Sequence, residues 1–309
     1  MRHLLTIERV AFASLFFAAG TASIFRLQFY FPSLDSAWFV LHHYLGPVLL
    51  PAIVLPAVLF VKVRARTWAK AVFLLRLRGV GAFALIVYLH FNFKLWAQLI
   101  NPKLFDDVYM GIDEKFRSVV NCAFALSVFY RSGLIYFPHA YHQIFISMFV
   151  LSFFVHGMQS DRLGFDRLLL AVALVLALGG VSYFVAPAFG PFVFEAGDSP
   201  AAGAIQAVMA SFQQGFRESR GADYDSTYFV SALAAMPSLH LAHALVFLWF
   251  ALRHARWLGV VYVVPVSFIA VEAVAARWHY LIDLPAGLII ALVGIFLANR
   301  LILPQADSP

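Results

Sequence analysis

Eight stretches of this chain run for about 15 to 25 residues almost without a charged side chain: 10–25, 37–61, 79–93, 134–156, 168–186, 237–252, 257–276 and 283–301. About 20 residues of helix cross the apolar layer of a bilayer. Inside that layer every backbone polar group needs an internal partner, so only helices and closed barrels can span it. A barrel strand alternates apolar and polar residues over about ten positions, and these runs do not alternate. The sequence is therefore expected to be all-α: a polytopic membrane helical bundle with about eight transmembrane helices. Composition agrees, since 62% of residues are hydrophobic and 12% are charged, against about 45–50% and 25% in soluble domains. A soluble globular enzyme, a disordered chain and a coiled-coil rod are all excluded.

The segment 118–130 is apolar but too short to cross, and it follows the charged run Asp113, Glu114, Lys115 and Arg117. It reads as an interfacial or re-entrant helix. The loops then fall into two sets. The set holding both termini also contains Lys62, Arg64, Arg66, Lys70, Arg76 and Arg78 with no acid among them. The positive-inside rule places that set in the cytoplasm and the loops 26–36, 94–133, 187–236 and 277–282 outside. The first run, preceded by Arg2 and Arg9, has a signal-peptide look, but a retained helix is expected. Pro47, Pro51 and Pro56 should kink the second span. The net charge of +6 is read as topology-setting loop charge, not as a nucleic-acid surface. One cysteine, Cys122, excludes a disulfide framework and any multi-cysteine metal site.

Ionisable residues in a membrane region cost about 2.5–3.5 kcal/mol each on insertion scales, so clusters of them point to function. Three polar stretches fall at the outer ends of the later spans. In Met236-Pro237-Ser238-Leu239-His240, Pro and Ser suit a helix start, which puts His240 in a first turn where free N–H groups suit a phosphate. In Arg277-Trp278-His279-Tyr280-Leu281-Ile282-Asp283, the histidine and aspartate stand four apart. A carboxylate on one imidazole nitrogen sets the tautomer and leaves the other free to attack. Pro285 argues that Asp283 begins the last span, with His279 on the turn before it. The third stretch, Tyr183 to Pro191, ends a span with Pro and Gly. Taken singly, each also fits an interfacial histidine, a His–Asp pair or a plain helix stop. Loop parity puts His240, His279 and Asp283 on one membrane face. That set, with no Ser or Cys nucleophile in register, points to phosphoryl chemistry through a histidine.

These residues resemble a known family. Pro-Ser-Leu-His at 237–240 and His-x-x-x-Asp at 279–283 are similar to the last two motifs of the type 2 phosphatidic acid phosphatase superfamily. The longer strings around them look most like its inositol phosphotransferase branch, which includes inositol phosphorylceramide synthase and, more distantly, sphingomyelin synthase. Tyr183–Pro191 and Gly111-Ile112-Asp113 also look familiar from that branch. The resemblance implies a six-helix phosphatase-like core within residues 79–309, carrying the interfacial helix 113–131. Residues 1–78 would add two helices and a basic cytoplasmic loop. It also implies that His279 forms a phosphohistidine, Asp283 orients it, and His240 serves as acid and then base. Membrane lipids are the implied substrates, including sphingolipids.

The departures matter. Leu239 stands where the phosphatases have Gly, no Arg-Pro dipeptide occurs, and Ala273 replaces an arginine six residues before His279. Those basic groups hold a doubly charged phosphate, so their loss favours a singly charged phosphodiester. Arg277, Arg217 and Arg220 are the expected substitutes, with Ser238 and Tyr183 as further substrate contacts. Glu272 would bind a hydroxyl or ammonium head group, or pair inside the bundle. His139 and His142 have no carboxylate or cysteine at ligand spacing, and no Gly-rich nucleotide loop occurs; neither metal nor cofactor is expected. The expected protein is a lipid phosphotransferase in the inner (plasma) membrane with its site on the extracytoplasmic face. A lipid phosphate phosphatase is the runner-up. A transporter or scaffold is the alternative from another class, disfavoured because no internal repeat is visible and the polar groups gather at one rim instead of the midplane.

Overall fold

The computed structural model describes residues 4–63, 66–133, 139–158, 162–231 and 235–303; for 55–63, 66–72 and 162 it describes the backbone alone. Its helices are α1 Thr6–Phe25, α2 Leu34–Val40, α3 Gly46–Val63, α4 Arg66–Ile100, α5 Asp106–Lys115 and α6 Arg117–Gly133. They continue with α7 Ala140–Met158, α8 Arg162–Ser182, α9 Pro200–Glu218, α10 Leu239–His254, α11 Arg256–Ala275 and α12 Asp283–Leu301. No strand occurs among the described residues. Seven helical segments among them are long and apolar enough to cross a membrane. The expected span 237–252 is shifted by two residues to α10, because Pro237 and Ser238 stay outside the helix, and at 16 residues it is shorter than those seven.

Apolar pattern decides where each helix sits. In α8, Leu168 through Leu176 are all buried, as expected of a helix apolar on every side. It packs against α4, α10 and α12, and α10 packs in turn on α7, α11 and α12. The periphery stays apolar: Phe16 and Ile24 are each 77% exposed and Ile289 61%. Such an apolar exterior suits lipid, not water.

Three departures from the sequence expectation have physical causes. α4 runs unbroken through positions 66–78, where a basic loop was expected, because lysine and arginine are good helix formers. Arg64 lies outside the described residues, as do the side chains of Lys62, Arg66 and Lys70. Positions 134–138, expected to open the fourth span, also lie outside them. The expected proline kink takes the form of a π turn at Leu41–Leu45, in which the Gly46 N–H bonds back to Leu41 O. Pro47 lacks an N–H and its ring would crowd the carbonyl four residues earlier, and the wider turn makes room. The region 187–236, read as a loop, contains α9. Only the stripe Ala202, Gln206, Met209, Gln213 and Phe216 is buried, a helical spacing too polar to register as a span.

Two rims result. At one, the starts of α7, α10 and α12 meet the ends of α4, α8 and α11. There Asn101 donates to the carbonyls of Phe184 and Val185, and α9 lies across the top with Gln206 donating to Ala276 O. At the other rim Arg78 pairs with Glu8 and Arg167 donates to Ile302 O. α6 runs along α11, with Ser127 bonded to Glu272 and Tyr130 to Ser267. Its terminal arginines, Arg117 and Arg131, reach Glu195 and Asp198 on the same α8–α9 connection.

Candidate active site

Nothing in a helical bundle aims a side chain as firmly as a helix end, and the polar residues gather at three of them. Asp283 opens α12, and its Oδ2 accepts from the Tyr280 N–H at 2.9 Å. The short turn between α11 and α12 thereby sets His279 beside it. The His279 Nδ1 lies 2.6 Å from Ala235 O and 3.3 Å from Asp283 Oδ2. A carbonyl oxygen only accepts, so Nδ1 carries the proton. In that tautomer the neutral ring carries its lone pair on Nε2, and His279 lines a cavity.

Ser238 precedes α10 and ties it to α12, its N–H donating to Asp283 O at 3.1 Å. The two helix starts can approach because Gly287 has no side chain; any Cβ there would collide with Ser238 O. His240 follows in the first turn, its ring packed on Phe145 (4.6 Å between centroids) and Tyr141 (5.1 Å). No hydrogen bond ties its ring among the described residues. His240 and His279 line one cavity of about 490 Å³ together with Tyr183, His142, His43 and Lys94.

α5 holds this arrangement from behind through two carboxylates seven residues apart on one face. Asp106 accepts from the N–H groups of Phe189 and Gly190 and from the Tyr280 hydroxyl. Gly190 has φ +133°, a region that favours glycine. Asp113 accepts from the Leu281 N–H and from Arg277, each at 2.9 Å. Burial pushes the Asp106 carboxyl above its ordinary range, against those hydrogen bonds. The Tyr280 hydroxyl is pushed up by burial and by Asp106 beside it. Glu195 is held below the ordinary range, chiefly by its hydrogen bond from Arg117.

A family comparison matches this same region: the model of the PAP2 superfamily covers residues 112–297. The chain belongs to the PAP2 superfamily. Membership supports a function of the lipid phosphatase and phosphotransferase type, and the long apolar helices make the chain an integral-membrane protein. The matched segment of this PAP2 protein contains Ser238, His240, His279 and Asp283, and excludes His43 and Lys94. No curated protein and no solved structure matches the chain.

The remaining expected site residues divide. Tyr183 lines the cavity. Ser238 is fully buried, and among the described residues neither its Oγ nor Asp283 Oδ1 has a hydrogen-bond partner. Arg277 is also fully buried, but its guanidinium pairs with Asp113 and, at 3.3 Å, with Glu195; it does not line the cavity. Arg217 and Arg220 are exposed at the far end of α9 and line neither cavity. Glu272 is bound by Arg131 and Ser127 and borders a second cavity of about 380 Å³. That cavity shares His139, Tyr141, His142, Ile205 and Trp278 with the first.

The sequence reading missed Lys94, Tyr141 and Asp106. A single lysine just past an apolar run looks like a loop charge, and Asp106 stands in an acidic stretch that gives no hint of its partners.

Proposed function

We propose that this protein is an integral-membrane phosphotransferase that moves a phospho-head group between lipids through a phosphohistidine intermediate. The observation that carries the reading is the Nδ1-anchored His279, whose lone pair is left on Nε2 and which lines one cavity with His240. The His279 Nε2 attacks phosphorus, the bond from phosphorus to the lipid alkoxide oxygen breaks, and His240 gives that oxygen a proton. In the second step His240 takes the proton of an acceptor hydroxyl. The acceptor oxygen then attacks phosphorus, and the P–N bond breaks to restore His279. Asp283 holds the ring and offsets the positive charge it gains.

Transfer is favoured over hydrolysis by the second cavity. Most of its lining away from Arg131 and Glu272 is apolar or aromatic, and it shares a wall with the histidine cavity. That suits the hydroxyl-bearing end of a lipid alcohol such as a ceramide, diacylglycerol or glycolipid, in keeping with the inositol phosphotransferase branch that the motifs resemble. We assign the site to the extracytoplasmic face, with the plasma membrane as the expected one, because Arg78 and Arg167 mark the opposite rim and basic residues favour the cytoplasmic side.

The test supplies purified protein with head-group-labelled phospholipid, with and without a lipid alcohol. A new labelled phospholipid that appears only with the acceptor is expected. Inorganic phosphate released from phosphatidic acid, with no new phospholipid, overturns transfer in favour of hydrolysis.

A further inference from the structure

An acceptor alcohol has to reach the phosphohistidine in competition with water. A hydroxyl held in the reacting geometry has a large advantage over one that arrives by diffusion. The two cavities meet at a wall of five residues, His139, Tyr141, His142, Ile205 and Trp278. A hydroxyl that passes from the second cavity to His240 crosses that wall.

His142 differs from the other four. Its partly buried ring stands edge-on to His240, at 5.7 Å between centroids, and edge-on to Trp278 at 5.9 Å. It therefore touches both the acid–base histidine and the neighbour of the nucleophile. Neither of its ring nitrogens has a hydrogen bond among the described residues. His43 and His90, which line the first cavity, are tied instead: each donates from Nδ1 to a backbone carbonyl at 3.0 Å, Phe39 O and Leu176 O. Tyr141 also touches His240, but its hydroxyl is buried. His139 is exposed, Ile205 has no polar group, and an indole only donates. An imidazole offers one donor and one acceptor, so His142 is the member of the wall equipped to handle a hydroxyl beside the base.

We propose that His142 is the acceptor-holding residue of this site: its ring N–H donates to the oxygen of the incoming alcohol and presents that oxygen to His240. One lone pair of the oxygen takes the His142 hydrogen bond and the other attacks phosphorus. The hydroxyl proton goes to His240, the P–N bond breaks, and His142 ends the step unchanged. The inference rests on the transfer reading and deepens it, because His142 then sets how the phosphoenzyme divides between an alcohol and water. Water is small and present on every open side of the cavity, so it does not depend on that hold.

The test uses the purified full chain, labelled with phosphatidylinositol that carries radioactive phosphorus. The phosphoenzyme is chased with short-chain diacylglycerol, short-chain ceramide or buffer alone, and new labelled lipid is measured against water-soluble label. His142→Phe keeps a ring and removes the hydrogen bond, and His142→Gln keeps a donor. His42→Phe is the control, an exposed histidine that lines neither cavity. His142→Phe should still form phosphoenzyme, with its partition shifted toward water about tenfold, the size expected for one lost hydrogen bond. His142→Gln should restore most of the lipid product, and His42→Phe should match wild type. An unchanged partition in His142→Phe overturns the proposal. So does a loss of lipid product, or of phosphoenzyme itself, that His142→Gln fails to restore, since that would make His142 a packing residue. Wild type that gives no new lipid with either alcohol defeats the transfer reading and this inference together. Wild type that transfers beside an unaltered His142→Phe removes the His142 role alone.

Discussion

The two rims of the bundle use polar residues in opposite ways. At the rim of Glu8 and Arg78, the carboxylate and guanidinium answer each other at 2.6 Å, and the cavity beside them is only about 110 Å³. At the histidine rim the cavities reach 380 and 490 Å³. There, among the described residues, Ser238 Oγ and Asp283 Oδ1 are buried with no hydrogen-bond partner, and Lys94 has no ion pair. Burying a polar atom without a partner costs about 1–3 kcal/mol, but Ser238 and Asp283 line neither cavity; the polar groups open to a ligand at this rim are those that do, His240, His279 and Lys94 among them. Even at the histidine rim the roles divide. Arg277, Asp113 and Asp106 hold the turn that carries His279, whereas His240, His279 and Lys94 face open space.

The largest expected effect tests the open side of that contrast. His279→Ala should lower transfer on the order of 10⁴-fold or more and abolish labelled phosphoenzyme, with the melting temperature nearly unchanged. Phosphoenzyme surviving in the variant would remove His279 as nucleophile. Asp283→Asn should cost about 10³-fold, mostly in kcat, because the tautomer and ring position are no longer held by a charge. An effect confined to KM would instead make Asp283 a substrate contact.

Arg277→Met sharpens the division within the rim. It strands the buried Asp113 carboxylate, so the protein should lose about 3–5 kcal/mol of stability; Arg78→Met at the opposite rim should lose far less, because a solvent-screened pair contributes little. Denaturation in detergent measures both. A stable Arg277→Met variant with a raised KM would return Arg277 to the substrate-binding role that its position in the sequence suggested. The smallest effect concerns Glu195, whose pKa is lowered from 4.5 chiefly by Arg117. Its pairing stabilises the fold fully above about pH 4.5 and is lost as pH falls through the lower folded value. Glu195→Gln should flatten that acid limb by no more than about 1 kcal/mol. An unchanged limb would show that the Arg117 pair adds nothing.

Much of this was legible along the chain. Apolar run lengths announced the helices, and loop parity put His240, His279 and Asp283 at one rim, where the structure also has them. Lys94 was hidden because its charge ended an apolar run at Phe93, while the helix itself continues to Ile100. α9 was hidden because one buried stripe on a mostly exposed helix barely changes local hydropathy. Arg277 looked available because its counter-charge, Asp113, is 164 residues away.

The sequence by itself determined the solvent this protein folds in, the helical class and the chemistry available at one rim. Those follow from local runs and short spacings, which bilayer thickness and helix geometry read directly. Only the tertiary structure decided which charges are spent on each other and which remain for a ligand. Pairing and burial depend on distances between helices far apart in the chain, and the order of residues does not carry those distances.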